Sequence, residues 1–412
     1  MKKKKVAVVG GGISGLTVAY YLQRQFEVTI FEKEKWGGKA STVEINGYLF
    51  EEGVNGFLNN SPLTLELCRE IGAEVIKANS NSKKRFIYDD RLYQLPSSPK
   101  EFLKSPILSP AGKLRLLKEP FIPPYCEEET VWEFALRRLG EEFARRFITP
   151  MVAGIYGATP DQLSVNAAFP RIKEVECTYK SLVRGMVKLR RGGAPTGELC
   201  SFNRGMSEMI QKLKQSIQGQ FIERGVDDIG ELGKFDIVIL ATPAYESSKI
   251  LSRYSKISQL LGEIEYNPIG VVGLDYQEIY PEGFGILTTS SPTLGILMDK
   301  YIFPNRNGIR VMVGGGRHPE VGEMGGQKII NLAEEGVAQI TGARFSKVRW
   351  VKLHKKGIPI YKLGHRKLIE EIEEEARKIG VHLLGNWKGG VSFNDCIKNG
   401  YKLAQQLIEG EK

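Results

Sequence analysis

Histidine, cysteine and long apolar runs are scarce in this chain, and each scarcity excludes something. Its 412 residues include only four histidines, His318, His354, His365 and His382. They form no ligand cluster in sequence, so each reads as a packing or surface residue and no metal site is expected. The five cysteines, Cys68, Cys126, Cys177, Cys200 and Cys396, are scattered, odd in number and without C-x-x-C spacing. That pattern argues against zinc and against a disulfide frame, and for a reducing compartment. No stretch approaches the roughly 18 apolar residues of a spanning helix. The basic start, Lys2–Lys5, is followed by only four apolar residues before the first glycine. This is too short for the apolar core of a secretory signal. The expectation is a cytoplasmic protein, soluble or peripheral on the cytoplasmic membrane. Internal repeats and low-complexity linkers are also absent. Acidic residues are the minority charge, 48 against 58 basic, for a net charge of +10. No nucleic-acid motif or aromatic-interleaved basic patch accompanies the excess, so no nucleic-acid partner is expected. An anionic membrane surface or an anionic substrate explains it more economically.

What is present begins at Val6-Ala-Val-Val-Gly-Gly-Gly-Ile-Ser-Gly15. Four apolar residues predict a buried parallel strand. Gly10, Gly12 and Gly15, with Ser14 among them, follow at G-x-G-x-x-G spacing, where a strand turns into a helix. Gly10 permits the turn, Gly12 lets backbone approach a pyrophosphate, and Gly15 lets the helix pack on the sheet. Backbone N–H groups and the helix dipole then face the phosphates. A second strand, Val28-Thr-Ile-Phe31, ends at Glu32, placed to accept hydrogen bonds from a ribose. Then comes Lys33-Glu-Lys-Trp-Gly37-Gly38-Lys39, whose glycine pair is not part of a plain nicotinamide fold; an ordinary glycine turn is the alternative. Far downstream, Leu384 to Ile397 places a glycine-rich turn before a fresh helix. Ile397, Tyr401, Ala404 and Ile408 give that helix an apolar stripe.

In these segments the chain resembles the flavin-dependent monoamine oxidase-like superfamily and, within it, the protoporphyrinogen oxidases. The resemblance spans nearly the whole chain. It runs through residues 6–58, with Gly37-Gly38-Lys39 and Phe50-Glu-Glu-Gly53. It continues through Met151-Val-Ala-Gly-Ile-Tyr-Gly157, Leu163-Ser164, Ala167-Ala-Phe-Pro170 and Ser201-Phe-Asn-Arg-Gly-Met206. It closes with Ile358-Pro-Ile-Tyr-Lys-Leu-Gly-His365 and Gly385–Gly400. The order and spacing of these motifs together are specific, though no one of them is decisive.

The resemblance implies an α/β fold: a Rossmann-type FAD-binding domain with an inserted substrate-binding sheet and a helical membrane-facing region. The FAD domain would be discontinuous, from 1–78, 201–246 and 383–412. Residues 79–200 would form the helical, membrane-facing and substrate region, and 247–382 the substrate-binding sheet. FAD would be held by Gly10, Gly12, Ser14, Gly15, Glu32, Lys33, Gly37, Gly38, Lys39, Gly53, the Val226 backbone, Trp387, Val391, Ser392 and Phe393. The strand read at Phe235–Pro243 would lie under the nucleotide. The link before it is short for this family, which points to a trimmed small sheet. Periodicity predicts a helix over Thr130–Thr149, strands at Val271–Tyr276 and Ile309–Val313, and a charged surface helix at Glu370–Ile379.

The chemistry implied is hydride transfer from a substrate carbon to flavin N5, with negative charge developing on the N1–C2=O edge. The helix beginning near Asn394 is suited to stabilise that charge. Ser392 also reads simply as its N-cap. Arg85, before Phe-x-Tyr, would pair with a propionate through its guanidinium fork. Gly154, Phe284, Gly285 and Leu287 would line the macrocycle pocket, Leu287 being also an ordinary core residue. Asn55 would orient substrate beside the flavin or cap a turn, and the two readings stand level. Ser98–Ile122 interleaves Lys100, Lys104, Lys113, Arg115 and Lys118 with Phe102, Leu103, Ile107, Leu108, Leu114, Leu116, Leu117 and Phe121. This suits a helix lying on an anionic bilayer, or an amphipathic helix packed on its own domain.

The activity implied is oxidation of protoporphyrinogen IX to protoporphyrin IX in haem synthesis, six electrons in three flavin cycles, with hydrogen peroxide formed if oxygen is the acceptor. The nearest alternative is coproporphyrinogen III oxidation. A carotenoid desaturase, an amine oxidase with Cys396 as the only nearby candidate for covalent flavin, and a flavin-free Rab-escort-type lipid chaperone stand further off. Hand-over of product to a ferrochelatase and a homodimer are further expectations about partners.

Overall fold

A computed structural model describes residues 3–191, 197–288 and 292–410, with the side chains of Arg190 and Arg191 left aside. Two sheets organise it. The first is five-stranded and wholly parallel, in the order Gln220–Ile222, Glu27–Phe31, Lys5–Val9, Ile237–Leu240, Val381–Leu383. Its strands come from three distant stretches of chain. The central strands are near-continuous apolar runs because helices cover both faces of a parallel sheet. One side of the sheet packs on helix Ile13–Leu22, which in turn lies against the C-terminal helix Phe393–Glu409. Gly400 is the contact point: a Cβ there would stand 2.9 Å from the Ser14 carbonyl oxygen.

The second sheet is seven-stranded and mixed, in the order Arg349–Pro359, Tyr266–Leu274, Ile309–Gly314, Thr293–Leu297, Gly285–Thr288, Arg85–Tyr88, Leu92–Gln94. Only the pairing of Gly285–Thr288 with Arg85–Tyr88 is parallel. The strands read at Val271 and Ile309 fall inside it, the first lengthened to begin at Tyr266. Between Ile222 and Ile237 the chain holds only one short 3-10 turn, Ile229–Leu232, so the link is as short as the sequence suggested. The charged helix runs from His365 to Lys378, beginning five residues before the segment read from the charge pattern.

Three expectations are corrected. The helix read over Thr130–Thr149 is broken. Thr130 caps a helix over Val131–Leu139 through a capping box with Glu133, and Gly140 then takes φ 89° and ends it. The chain resumes at Glu141, widens to a π turn over Ala144–Ile148 and continues as helix Thr149–Tyr156. Apolar spacing does not register a single residue of positive φ. The amphipathic Ser98–Ile122 segment is likewise two short helices, Pro99–Lys104 and Pro110–Leu116, each opened by a serine cap and a proline. Ile107 and Leu108, between them, are buried, whereas Leu103, Leu114, Leu117 and Phe121 are exposed. Finally, Cys126 and Cys177 form a disulfide, against the expectation of none. The loop carrying Cys126 is drawn onto helix Pro170–Tyr179 by a buried ion cluster that spacing does not reveal. In it Glu176 accepts from Arg138 Nε at 2.7 Å and from the Tyr125 N–H at 3.2 Å. Among the described residues no helix is long and apolar enough to cross a membrane, and no group of histidine, cysteine or carboxylate side chains could hold a metal.

Candidate active site

The two sheets meet around one cavity of about 1220 Å³. That exceeds the ~300–1,000 Å³ of a single-ligand pocket, so it has room for a cofactor and a substrate. One half is built on the carboxyl ends of the parallel strands. The other is walled by the mixed sheet and by Phe143, Phe147, Met151 and Ile155 of the helical segment.

The polar half follows from local geometry. Gly10 turns the chain with φ 108°. A Cβ on Gly15 would meet the Gly10 carbonyl oxygen at 1.9 Å, so only glycine lets the helix start this close to the strand. Gly12 is the N-cap, with no side-chain cap and no acid in the first turn. A Cβ on Gly12 would meet nothing within 4 Å. The free helix terminus therefore faces open cavity, the arrangement that suits an anion. Glu32 accepts from Gly11 N at 2.7 Å and from Glu34 N at 2.8 Å. A carboxylate offers about four lone-pair positions, so the acid both ties the glycine turn and keeps capacity for ribose hydroxyls. Lys33 pairs with Glu246 at 2.8 Å. Val226 is buried on the cavity wall beside Arg224 and Gly225. A diphosphate dinucleotide fits these donors: the helix terminus, the glycine turns and Lys39 for the phosphates, Glu32 for a ribose, the Val226 segment for a base.

At the middle of the cavity stand Lys39, Gly53, Asn55, His354, Val391, Phe393 and Cys396. Lys39 Nζ donates to the Lys356 carbonyl at 3.2 Å and lies 5.7 Å from the Tyr266 ring centre. Burial pulls its ammonium down to about 8. Burial also lowers His354, whose Nε2 lies 2.7 Å from the Glu52 carbonyl oxygen, consistent with a neutral ring donating there. Cys396 is pushed up to about 11 by burial and stays a thiol. A Cβ on Gly53 would meet the Lys39 carbonyl oxygen at 2.7 Å, which fixes glycine at the crossing of these two segments. Ser392 caps the C-terminal helix through a reciprocal box with Asp395, and it and Trp387 do not reach the cavity wall. Trp387 is wholly buried, its indole N–H donating to the Thr242 carbonyl at 3.0 Å. The Asp395 carboxylate partly offsets the positive helix end, leaving the N–H groups of Phe393 and Asn394 as its free donors.

In the apolar half, Arg85 stacks over Phe284, guanidinium carbon 5.0 Å from the ring centre. The parallel pairing of Arg85 with Gly285 brings them together. A Cβ on Gly285 would meet the Ile296 carbonyl oxygen at 2.3 Å. Gly154 faces Leu287, whose Cδ2 would lie 2.5 Å from a Cβ there. All five substrate-side residues thus line one wall system. Asn55 lines it too, its amide oxygen accepting from Arg310. Sequence reading missed Arg310, His354 and the lysines Lys352, Lys355 and Lys356. No local signal marks their place at the site, since the contacts that bring them there, Arg310 to Asn55, His354 to Glu52 and Lys356 to Lys39, join segments more than 250 residues apart.

The chain matches the family of flavin containing amine oxidoreductases over residues 13–408 and belongs to it. It is a flavin-dependent oxidoreductase whose cofactor is FAD. It is 29% identical to human protoporphyrinogen oxidase, with 99% of each chain covered. It is 27% identical to the coproporphyrinogen III oxidase of Staphylococcus aureus, over 98% of this chain and 99% of that one. A solved structure from Exiguobacterium sp. 255-15 superposes with a TM-score of 0.86 at 22% identity, covering 100% of both chains; that likeness is one of fold.

Proposed function

We propose that this protein oxidises protoporphyrinogen IX to protoporphyrin IX. The observation that carries the reading is the divided cavity. A dinucleotide cradle opens directly onto a chamber walled largely by apolar side chains, with Arg85 on one strand of the mixed sheet and Lys352, Lys355 and Lys356 on another strand of that sheet lining the same cavity. An apolar tetrapyrrole with acidic side chains on one edge matches such a chamber. Full-length similarity to relatives that carry the name protoporphyrinogen oxidase supports it. When bound, FAD supplies a two-electron oxidant, so three turnovers per molecule meet the six-electron change. The chain's own residues bind and orient. Arg85 holds a carboxylate in its fork, Phe284 offers a ring face to a pyrrole, and Gly285 keeps the wall flat. The helical segment excludes water.

Coproporphyrinogen III is the second reading, favoured by similarity to coproporphyrinogen III oxidases. Its four propionates would call for cations on more than one edge, and Lys352, Lys355 and Lys356 line the same cavity from the mixed sheet in addition to Arg85. The deciding experiment follows porphyrin fluorescence with both porphyrinogens in parallel. Higher kcat/KM for protoporphyrinogen supports the first reading, and the reverse moves the protein to the second.

A peripheral seat on the cytoplasmic membrane belongs to the same proposal. Leu103 is 68% exposed and Phe121 81% exposed, close in sequence to Lys100, Lys104, Lys113 and Lys118. Apolar residues that project among lysines suit an anionic interface. Co-sedimentation with phosphatidylglycerol vesicles but not with phosphatidylcholine vesicles is the expected result, and no binding to either removes the membrane seat.

A further inference from the structure

Arg310 sits at the centre of the second sheet, 1% exposed, with all its reach spent on the protein. Its Nε donates to Asp299 at 2.5 Å and its Nη2 to the same carboxylate at 3.2 Å. Nη1 donates to the Glu51 carbonyl at 3.2 Å, and Nη2 also donates to Asn55 Oδ1. Asp299 neutralises the guanidinium, so no net charge is offered to the cavity.

The consequence lies with Asn55. A guanidinium only donates, so the Asn55 atom facing it is the carbonyl oxygen, and the amide nitrogen is turned away from Arg310. Among the described residues that nitrogen donates to no protein acceptor, and Asn55 lines the cavity. The backbone around it is pinned by two residues of the same sheet and by the glycine turn at Lys39. Glu51 is held by Arg310, Glu52 by His354 at 2.7 Å, and Val54 N–H by the Lys39 carbonyl at 3.0 Å. The register places this contact relative to the acid-binding end. Arg85 pairs with Gly285, Gly285 with Leu297, and Leu297 with Arg310. Arg85 and Arg310 therefore lie in one row across the sheet on one face, three strands or ~14 Å apart.

We propose that Arg310 is a positioning residue that locks the Asn55 amide so that its NH2 presents a neutral hydrogen-bond donor to the substrate, in the row that begins at Arg85. This deepens the porphyrinogen reading and rests on it. The substrate would be held at two points: a charged fork at Arg85 for a carboxylate, and an uncharged donor at Asn55 for an acceptor atom of the ring system. The pyrrole N–H of the reduced ring is itself a donor. A nitrogen that has lost its proton is an acceptor, so the Asn55 donor favours the ring as oxidation proceeds over the ring as it arrives, which is the direction catalysis requires.

The test uses FAD-loaded wild type, Asn55→Ala, Asn55→Asp, Arg310→Lys and the Asn55→Ala/Arg310→Lys double variant. Arg310→Lys keeps the charge beside Asp299 but cannot reach the Glu51 carbonyl and Asn55 together. Expected are a tenfold or greater fall in kcat for each single variant, KM within threefold, and an unchanged flavin absorbance. The double variant should be no slower than Asn55→Ala, because the two residues act as one. Independently of turnover, the Asn55 side-chain amide signals in a 15N-asparagine NMR spectrum, assigned by their loss in Asn55→Asp, should shift or broaden in Arg310→Lys. Wild-type kcat in Arg310→Lys, multiplied losses in the double variant, or amide signals unmoved by Arg310→Lys would each overturn the proposal. If wild type turns over neither porphyrinogen, it is the porphyrinogen reading that fails, and the NMR comparison still decides whether Arg310 orients Asn55.

Discussion

Gly12 pairs with Gly37 in an isolated parallel bridge, and the Gly37 N–H donates to the Gly11 carbonyl at 2.8 Å. The two glycine turns are therefore one cradle. Its glycines answer to different constraints, which separates binding from folding. Gly12→Ala adds a methyl into open cavity at an extended residue of φ −73°. The apo protein should keep its melting temperature while FAD affinity falls on the order of tenfold or more, about 1.4 kcal/mol. Gly15→Ala forces a methyl against the Gly10 carbonyl, and such overpacking costs about 1–3 kcal/mol whether or not cofactor is present. Calorimetry of both apo variants, beside FAD titration, checks the contrast. Equal melting losses would show that Gly12 is also a packing glycine.

Arg85→Ala should leave FAD bound and raise KM for the porphyrinogen. Loss of a charge-assisted fork is worth about 1.5–3 kcal/mol, or roughly 10- to 150-fold in kcat/KM. Arg85→Lys should recover only part, since a point charge cannot match two carboxylate oxygens. Unaltered kinetics in Arg85→Ala would remove Arg85 from the site.

Lys39 makes FAD binding proton-linked. Its ammonium titrates near 8 in the folded apo chain, below the ordinary 10.5. Between those values the folded chain holds fewer protons than the unfolded one. The burial cost is thus carried below pH 8 and relieved as pH rises through it, and apo stability gains over that window. A bound diphosphate favours the charged lysine, so binding takes up a proton above pH 8. Affinity should then weaken with rising pH, by up to about tenfold per unit. Fluorescence titrations of FAD between pH 7 and 9.5 should show that slope in wild type and not in Lys39→Met. The same slope in both would assign it elsewhere.

Cys396 lines the cavity, yet burial holds its thiol at about 11. At neutral pH it is protonated and a poor nucleophile, so the flavin should be bound without a covalent link. Acid precipitation of the yellow protein should leave all FAD in the supernatant; flavin that stays with the pellet would contradict this.

Removing the Ser392 hydroxyl tests its capping role. Ser392→Ala should cost about 1 kcal/mol of stability without loss of FAD, because the side chain caps the last helix and does not line the cavity. Released FAD at unchanged melting temperature would make Ser392 a cofactor ligand instead.

Much of the polar half was legible because its causes are local. A strand, a glycine turn and a helix follow one another within Val6–Leu22, and the tightest contact that demands glycine at Gly15, against the Gly10 carbonyl, lies between near neighbours, although Gly10 itself is tight against the distant Ala241. The C-terminal helix and its cap were readable for the same reason: Ser392, Asp395 and the apolar stripe at Ile397, Tyr401 and Ala404 share one short stretch. The break at Gly140 was not, because apolar spacing carries no record of one backbone angle.

What the sequence by itself determined is the set of elements whose forming contacts lie within a few residues, and with them a dinucleotide cradle at the N-terminus. Only the tertiary structure decided which distant groups meet. The Asn55–Arg310 bond spans 255 positions, the Cys126–Cys177 pair 51, and Arg85 reaches Phe284 through a parallel pairing of two segments that neither announces alone. Such contacts are set by how the two sheets and the helical segment pack around the cavity, and a linear pattern holds that information only in the sum of its burial preferences.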